Sequence, residues 1–536
     1  MTDSARPRST GPVIELMVDG RQVQVPDDGG TLLDVLRDGL GLRSVKDGCS
    51  PQGQCGCCTV LVDGAPRVAC VTPARRVAGR AITTLEGLST DVQDEWADAL
   101  VATGGSQCGF CTPGIIVRLE GLRTKGVAPD DTTSVERSLQ AHLCRCTGWR
   151  TIVDAYAVVA DDRRVSPPVR DFAAASRRAT LEGGAPQRVG PDVALGRAGF
   201  AADTAPDGAL VAVPDGQGGW AVGETLAEAR QRSGKVQGRR TTFESAPPID
   251  LPPGDWAVTL RTSWVEPGYL ETDAAWCEPG AEPASPLANG GAFGAKATSV
   301  APAAAAELAA RLDRCVLVLL SREDVVRRGP KRPPMAAGMQ PDGTGVMRVA
   351  RTPGIADRVG LVAPGIEIIE VDVPGPPTSV SARAAGWAEA AVLLSAAASI
   401  GRTESPDLPI EVRGPGGGWA SASIDADGTV RVRVAAGDPL DEVVLRSYAV
   451  GAAHMAIGWV TSEALAVDAA GVVHDLTIRS FGVLRAIDTP PIQIEIDATQ
   501  GEPVNGSDAV FAAVAAAVWR SQGLAAAWPT GVALRV

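Results

Sequence analysis

DGCSPQGQCGCCTVLVDGAPRVAC, residues 47–70, packs five cysteines into 24 positions, and its reading decides what the front of the molecule is. Cys49, Cys55, Cys58 and Cys70 stand five, two and eleven residues apart, with Cys57 as a fifth thiol. A second group follows: Cys108 and Cys111 in SQCGFCTPG, then Cys144 and Cys146 in HLCRCTGW, 32 residues further on. Nine of the 11 cysteines therefore precede residue 150. An odd total and crowded spacing argue against a disulfide framework. Cys277 and Cys315 are isolated and read as ordinary core or surface thiols.

Thiolates in groups of four are metal ligands, and the choice lies between zinc and iron–sulfur clusters. The first group approaches the plant-type [2Fe–2S] pattern, Cys-x4-Cys-x2-Cys with a distant fourth cysteine. It departs by one extra residue in the first gap, which a bulged loop absorbs. Gly48, Gly53 and Gly56 let the backbone wrap closely and aim N–H groups at the sulfurs. Cys57 is left out, because adjacent thiolates rarely bind one compact cluster. For Cys108, Cys111, Cys144 and Cys146 a four-cysteine zinc site is the alternative. Cys-x-Cys is unusual in zinc ribbons, and two different quartets in tandem favour electron transfer.

Local patterns supply the frame. VIELMVDG and RQVQVPD alternate around Asp19-Gly20, a hairpin signal. Thr31 caps a short helix whose apolar face is Leu32, Leu33, Leu36 and Leu40. After the cysteine loop, TVLVDG and APRVACV make a second hairpin at Asp63-Gly64. This order is that of a ferredoxin-like β-grasp. Residues 91–160 read as helices: DVQDEWADALVAT, CTPGIIVRLEGLR with Pro113 near its start, SVERSLQAHL behind a Thr133–Glu136 capping box, and TIVDAYAVVADD. A small bundle would hold the second quartet at helix ends.

The 536 residues allow several cores, and a net charge of −13 argues against a nucleic-acid binder. The 45 Arg against 5 Lys read as composition bias, and Arg327, Arg328, Lys331 and Arg332 as a solvated loop rather than a phosphate site. No secretory h-region and no continuous apolar run of about 18 residues is expected, so the reading is a cytoplasmic chain without a membrane span. WAEAAVLLSAAASI and AVFAAVAAAVW read as buried helices. There is no Walker A, no G-x-G-x-x-G after a strand and no G-x-S-x-G elbow. His142, His454 and His474 are too scattered for a metal site.

Residues 13–160 resemble the iron–sulfur subunit of the molybdenum hydroxylases, the xanthine dehydrogenase and aldehyde oxidase family. QCGFCTPG, LCRCTGW followed by IVDA, and ACVTPARRVAGRAITTLEGL carry the likeness. It implies an outer [2Fe–2S] cluster on Cys49, Cys55, Cys58 and Cys70 and an inner one on Cys108, Cys111, Cys144 and Cys146. Gln107 matches the family residue that hydrogen-bonds the pterin. Later fragments, among them EPGYLETDAAWCEP, NGGAFGAK, GPPTSVSARAAG and QGEPVNGSDAVFAAVAAAVW, resemble the family's molybdopterin-binding subunit in family order. There Phe293 matches a loop near the metal oxo group, Arg383 an arginine beside the metal, and Glu502 the general base.

The expected organisation is an α+β multidomain chain. It comprises a 2Fe–2S ferredoxin-like domain at 11–88, a helical [2Fe–2S] domain at 89–162, a linker at 163–190 and a shortened α/β molybdopterin-subunit-like domain at 191–536. The shortening is concrete: 118 residues separate Arg383 from Glu502 where the family carries several hundred. The glycine- and glutamine-rich loop expected after ASASIDADGTVRVRV reads AAGDPLDEV. The leading expectation is an oxidoreductase chain passing electrons from a molybdenum site, acting on a purine, N-heterocycle or aldehyde, to flavin or another acceptor. Molybdopterin would sit here or in a partner subunit, and FAD only in a partner. The alternatives are a self-contained molybdenum hydroxylase with Glu502 as base, and a non-catalytic scaffold or assembly protein with structural metal.

Overall fold

The computed structural model describes residues 12–161, 170–234, 243–244, 246–284, 291–400, 408–497 and 499–534. Residue 11 of the expected first domain, 162 of the expected helical domain, 163–169 of the expected linker, and 289–290 of NGGAFGAK lie outside them.

Alternating side chains build the first sheet from strands β1 (Val13–Val18), β2 (Arg21–Pro26), β3 (Thr59–Val62), β4 (Ala65–Val68) and β5 (Ala81–Thr83), in the order β2-β1-β5-β3-β4. β1 and β2 are antiparallel, as are β3 and β4, while β5 runs parallel to β1. Both hairpins turn as the Asp-Gly pairs predict: Asp19 and Asp63 have φ 49°, Gly20 and Gly64 φ 75°. Positive φ at both central residues matches the twist of the strands they join. Thr31 caps the short helix in a capping box with Asp34, and a π-helical turn, Val35–Gly39, extends it.

Four helices follow: Thr90–Thr103, Thr112–Arg123 with proline in its first turn, Thr132–Ser138 and Arg150–Ala160. The third is capped two residues earlier than Thr133 would have it. Asp131 accepts from Ser134 N at 3.0 Å, and its carboxylate, facing the positive helix end, displaces the threonine from the role.

Part of the expected linker is a helix, Phe172–Gly183. Its buried face carries Arg178 and Glu182, which bond each other at 3.0 Å, so a sequence that looks too polar to pack is held by charges satisfied inside. Arg327 and Arg328 close the helix Arg322–Arg328, but Lys331 and Arg332 are not solvated. Lys331 pairs with Glu266 at 2.8 Å and Arg332 with Glu389 at 2.7 Å, both in the core.

Three further sheets make up the back half. One has strands Trp220–Gly223, Leu210–Pro214, Val316–Leu319 and Ala274–Cys277. The second runs Ile366–Val371, Gly345–Ala350, Met335–Met339, Val258–Thr262, Ala527–Trp528. The third runs Ile410–Arg413, Trp419–Ile424, Val430–Ala435, Ile492–Ile496. Helices Trp387–Ser399, Glu442–Thr461 and Ser507–Ser521 pack together, their alanines allowing close approach. Glu442–Thr461 is long and apolar enough to cross a membrane by length and composition, and it is buried inside the protein.

The front core is not self-contained. Leu465, Leu476, Ile478, Phe481 and Ala486 from the back half belong to the same apolar cluster as Leu32, Trp96 and Trp149. Burial of that shared surface, at about 25 cal/mol per Å², is what docks the back half on both cysteine-bearing domains.

Candidate metal centres

All eight cysteines of the two quartets are buried free thiols. The first quartet sits on the loop between the Leu32–Gly39 helical segment and β3, with Cys70 in the turn after β4. Cys49 Sγ lies in hydrogen-bonding contact with Cys55 and Cys70, and Cys70 also contacts Cys58. Backbone N–H groups converge as the glycine-rich loop suggested: Gln52 N donates to Cys49 Sγ at 3.0 Å and Cys70 N to Cys58 Sγ at 3.4 Å. The spare thiol, Cys57, is also buried, beside Cys55.

In the second quartet Cys111 ends the loop at the Thr112–Arg123 helix, and Cys144 and Cys146 precede Arg150–Ala160. Cys146 and Cys108 stand 3.6 Å apart, and Cys111 pairs with Cys144. Two close pairs, rather than four sulfurs around one point, suit two irons with two thiolates each. Among the described residues no group of three or more His, Cys, Asp or Glu is drawn in tightly enough for a single metal ion.

The electrostatics of these thiols suit a cation. Hydrogen bonds donated to neighbouring sulfurs, with burial acting in the same direction, hold Cys55, Cys70, Cys111 and Cys146 well above the usual thiol range. Cys49 is pushed well down by donation from Cys55 and Cys70, and Cys144 to about 6, chiefly by donation from Cys111. Each quartet thus offers one ready thiolate surrounded by protons that iron would displace. The donor set fits a [2Fe–2S] cluster at each place.

His142 lies between the quartets. It is packed, with Nε2 3.1 Å from Thr59 Oγ1, and burial lowers its pKa to about 3. A Cβ on Gly56 would stand 2.4 Å from its ring, and a Cβ on Gly114 2.4 Å from Gly56 O. Only glycine lets the helical domain approach the first loop this closely.

The residues matched to the molybdopterin region are partly brought together. Gln107 Nε2 donates to Cys146 O and to Ser447 Oγ, both at 3.0 Å. The next residue, Tyr448, meets Phe293 edge-on at 6.1 Å, and the Arg383 guanidinium lies 4.2 Å over the Phe293 ring. Arg383 donates to Asp508 at 3.0 Å and Ser507 at 2.5 Å. Gln107, Phe293 and Arg383 therefore lie along one path from the second quartet to the start of helix Ser507–Ser521. Glu502 is exposed on the loop before that helix.

That path is closed to a pterin. The void beside Ser106, Gln107 and Tyr448 measures about 10 Å³, room for one water, which would serve the unbonded oxygen of Gln107. A helix N-terminus is a natural anion site. Here Glu182 fills it, accepting from Gly506 N at 3.1 Å and Ser507 N at 2.8 Å. A cavity of about 310 Å³ lies elsewhere, between Arg37, Asp47, Phe200 and Glu271. Its walls hold nine carboxylates against three arginines, a poor setting for a phosphate. These residues do not fit molybdopterin within this chain.

Sequence reasoning missed the clamps between the halves. Arg145, between Cys144 and Cys146, is bidentate to Glu463 at 2.6 and 2.7 Å, a contact 318 residues apart in sequence. Gln52 Nε2 donates to Leu476 O at 2.9 Å, and Arg479 Nε to Gln54 O at 2.8 Å. No local signal announces pairs this distant.

Comparison with known proteins agrees with this geometry. Residues 16–78 match the 2Fe–2S iron–sulfur cluster binding domain family and residues 84–157 the [2Fe–2S] binding domain family. The nicotinate dehydrogenase small FeS subunit of Eubacterium barkeri is 39% identical over 137 residues, 25% of this chain and 86% of that one. The nicotine 6-hydroxylase small subunit of Paenarthrobacter nicotinovorans is 39% identical over 143 residues, 26% of this chain and 86% of that one. With the aldehyde oxidoreductase of Megalodesulfovibrio gigas the identity is 46% over 137 residues, 24% of this chain but only 14% of the relative's length. In fold, the aldehyde oxidoreductase of Desulfovibrio desulfuricans superposes with a TM-score of 0.67 at 16% identity, over 95% of this chain and 97% of that one.

Proposed function

The chain belongs to the molybdenum hydroxylase family, that of the xanthine dehydrogenases and aldehyde oxidases, and from that membership we propose that it is the iron–sulfur electron-transfer component of such an oxidoreductase. Domains 11–88 and 89–162 carry one cluster each. Cys49, Cys55, Cys58 and Cys70 ligate the first, and Cys108, Cys111, Cys144 and Cys146 the second. When bound, such clusters take and release single electrons. The observation that carries the reading is the gathering of eight buried thiols into two quartets. The chain's own part is to hold each loop rigid, exclude water and deliver backbone N–H groups to the sulfurs.

Hydroxylation of a purine, N-heterocycle or aldehyde belongs to a separate molybdopterin-binding subunit, and the electrons leave to flavin in another. The small subunits among the relatives support that division, and the filled space around Gln107, Phe293, Arg383 and Glu182 disfavours a self-contained enzyme using Glu502. A reducing cytoplasm, which keeps thiols available for iron, is the compartment this reading takes.

The test is electron paramagnetic resonance of the anaerobically purified chain after dithionite reduction, with iron and sulfide analysis. Two distinct [2Fe–2S] signals and about four irons per chain are expected. A chain that takes up no iron or sulfide ends the proposal. Stoichiometric molybdenum and pterin in the single chain would reinstate the self-contained enzyme.

A further inference from the structure

Building on the assignment of a cluster to the Cys49 quartet, we propose that two cations supplied by the back half, Arg322 and Arg479, set that cluster's reduction potential. Each grips the carbonyl immediately before a ligand. Arg322 Nη2 donates to Gly48 O at 2.6 Å, one residue ahead of Cys49, while its other bonds go to Tyr269 O at 2.8 Å and Leu270 O at 2.7 Å. Arg479 Nε donates to Gln54 O at 2.8 Å, one residue ahead of Cys55, and its Nη2 to Gln140 O at 2.5 Å. Arg479 N donates to Gln54 Oε1 at 3.3 Å, which fixes the loop from the other side.

All the acceptors of the two guanidinium groups are carbonyl oxygens. Among the described residues no carboxylate stands within ion-pair distance of either one, so both positive charges remain. Two other charged pairs lie nearby, Asp47 with Arg230 at 3.3 Å and Arg485 with Asp488 at 2.5 Å. The second quartet is built the opposite way. Its neighbouring cation, Arg145, is neutralised by Glu463 at 2.6 Å.

Reduction adds one electron to a cluster that its thiolates already make negative. A cation fixed in a half-buried site is weakly screened and favours the reduced form. Arg322, wholly buried, and Arg479, half-buried, therefore raise the potential at the first quartet and leave the second untouched. They are positioning residues, acting through the loop and through charge.

The experiment is a redox titration of the iron-loaded full chain, followed by electron paramagnetic resonance, for the native protein, Arg479→Gln and Arg479→Lys. Iron content reports whether each variant retains its clusters. Arg479→Gln lowers the reduction equilibrium constant of one signal about tenfold, ~59 mV for one electron, and leaves the other in place. Arg479→Lys, which keeps the charge, restores most of the shift. Unchanged midpoints in a fully iron-loaded Arg479→Gln protein, or equal shifts in both signals, overturn the proposal. Absence of both signals from the native chain would instead overturn the electron-transfer reading beneath it.

Discussion

The two ends of the chain bury polar groups by opposite logic. In the front, eight thiols are pressed together, an arrangement that proton sharing satisfies poorly and a bound metal would satisfy well. In the back, many buried charges are matched within it, Arg178 with Glu182, Arg332 with Glu389, Lys331 with Glu266 and Arg383 with Asp508, while Arg322 and Arg479 reach across to the first loop. Polar groups that satisfy one another in this way hold a fold together. A region whose sulfur donors crowd together is chemically open. The difference separates the part that works from the part that supports it.

The sharpest way to break the contrast is at the open end. Cys111→Ser is expected to halve the iron content and erase one resonance signal while sparing the other; loss of both would mean that the quartets are not independent. At the closed end, Glu182→Ala strands Arg178 and two helix N–H groups in the interior. Breaking a buried pair in this way costs about 3–5 kcal/mol, read as a lowered unfolding midpoint without loss of iron. A variant as stable as the native chain would show that the back half is not held by its internal pairs.

Acid supplies a finer probe. Burial lowers the pKa of His454 to about 3 from an ordinary 6.5. The unfolded chain then binds the extra proton, so the stability this neutral imidazole preserves is complete above pH 6.5. It is lost at about 1.4 kcal/mol per pH unit as the pH falls towards 3. Denaturation at several pH values should show that slope reduced in His454→Gln. The smallest effect is Asp131→Ala, which removes a helix cap and should lower the midpoint of chemical denaturation slightly.

What could be read from the sequence was local. Asp19-Gly20 and Asp63-Gly64 announce their hairpins because the turn's φ values are dictated by two adjacent residues. The cysteine spacings announce two quartets because a loop's reach is short. The charged stretches misled for the converse reason. Lys331 and Arg332 look solvated until Glu266 and Glu389 are brought to them, and the polar run before residue 190 looks unstructured until Arg178 and Glu182 meet. Asp131 took the cap from Thr133 because a charged acceptor at the helix end outcompetes a hydroxyl. Gln107, Phe293 and Arg383 could be placed by likeness, but whether space remained among them depended on helices hundreds of residues away.

Gly56 and Gly114 face each other with no room for a methyl group between the first loop and the helical domain. Such a contact is a mechanical stop. Electron tunnelling decays exponentially with separation, so carriers seated on either side of an incompressible spacer exchange at a rate that thermal breathing hardly alters. Two missing side chains thereby act as a ruler.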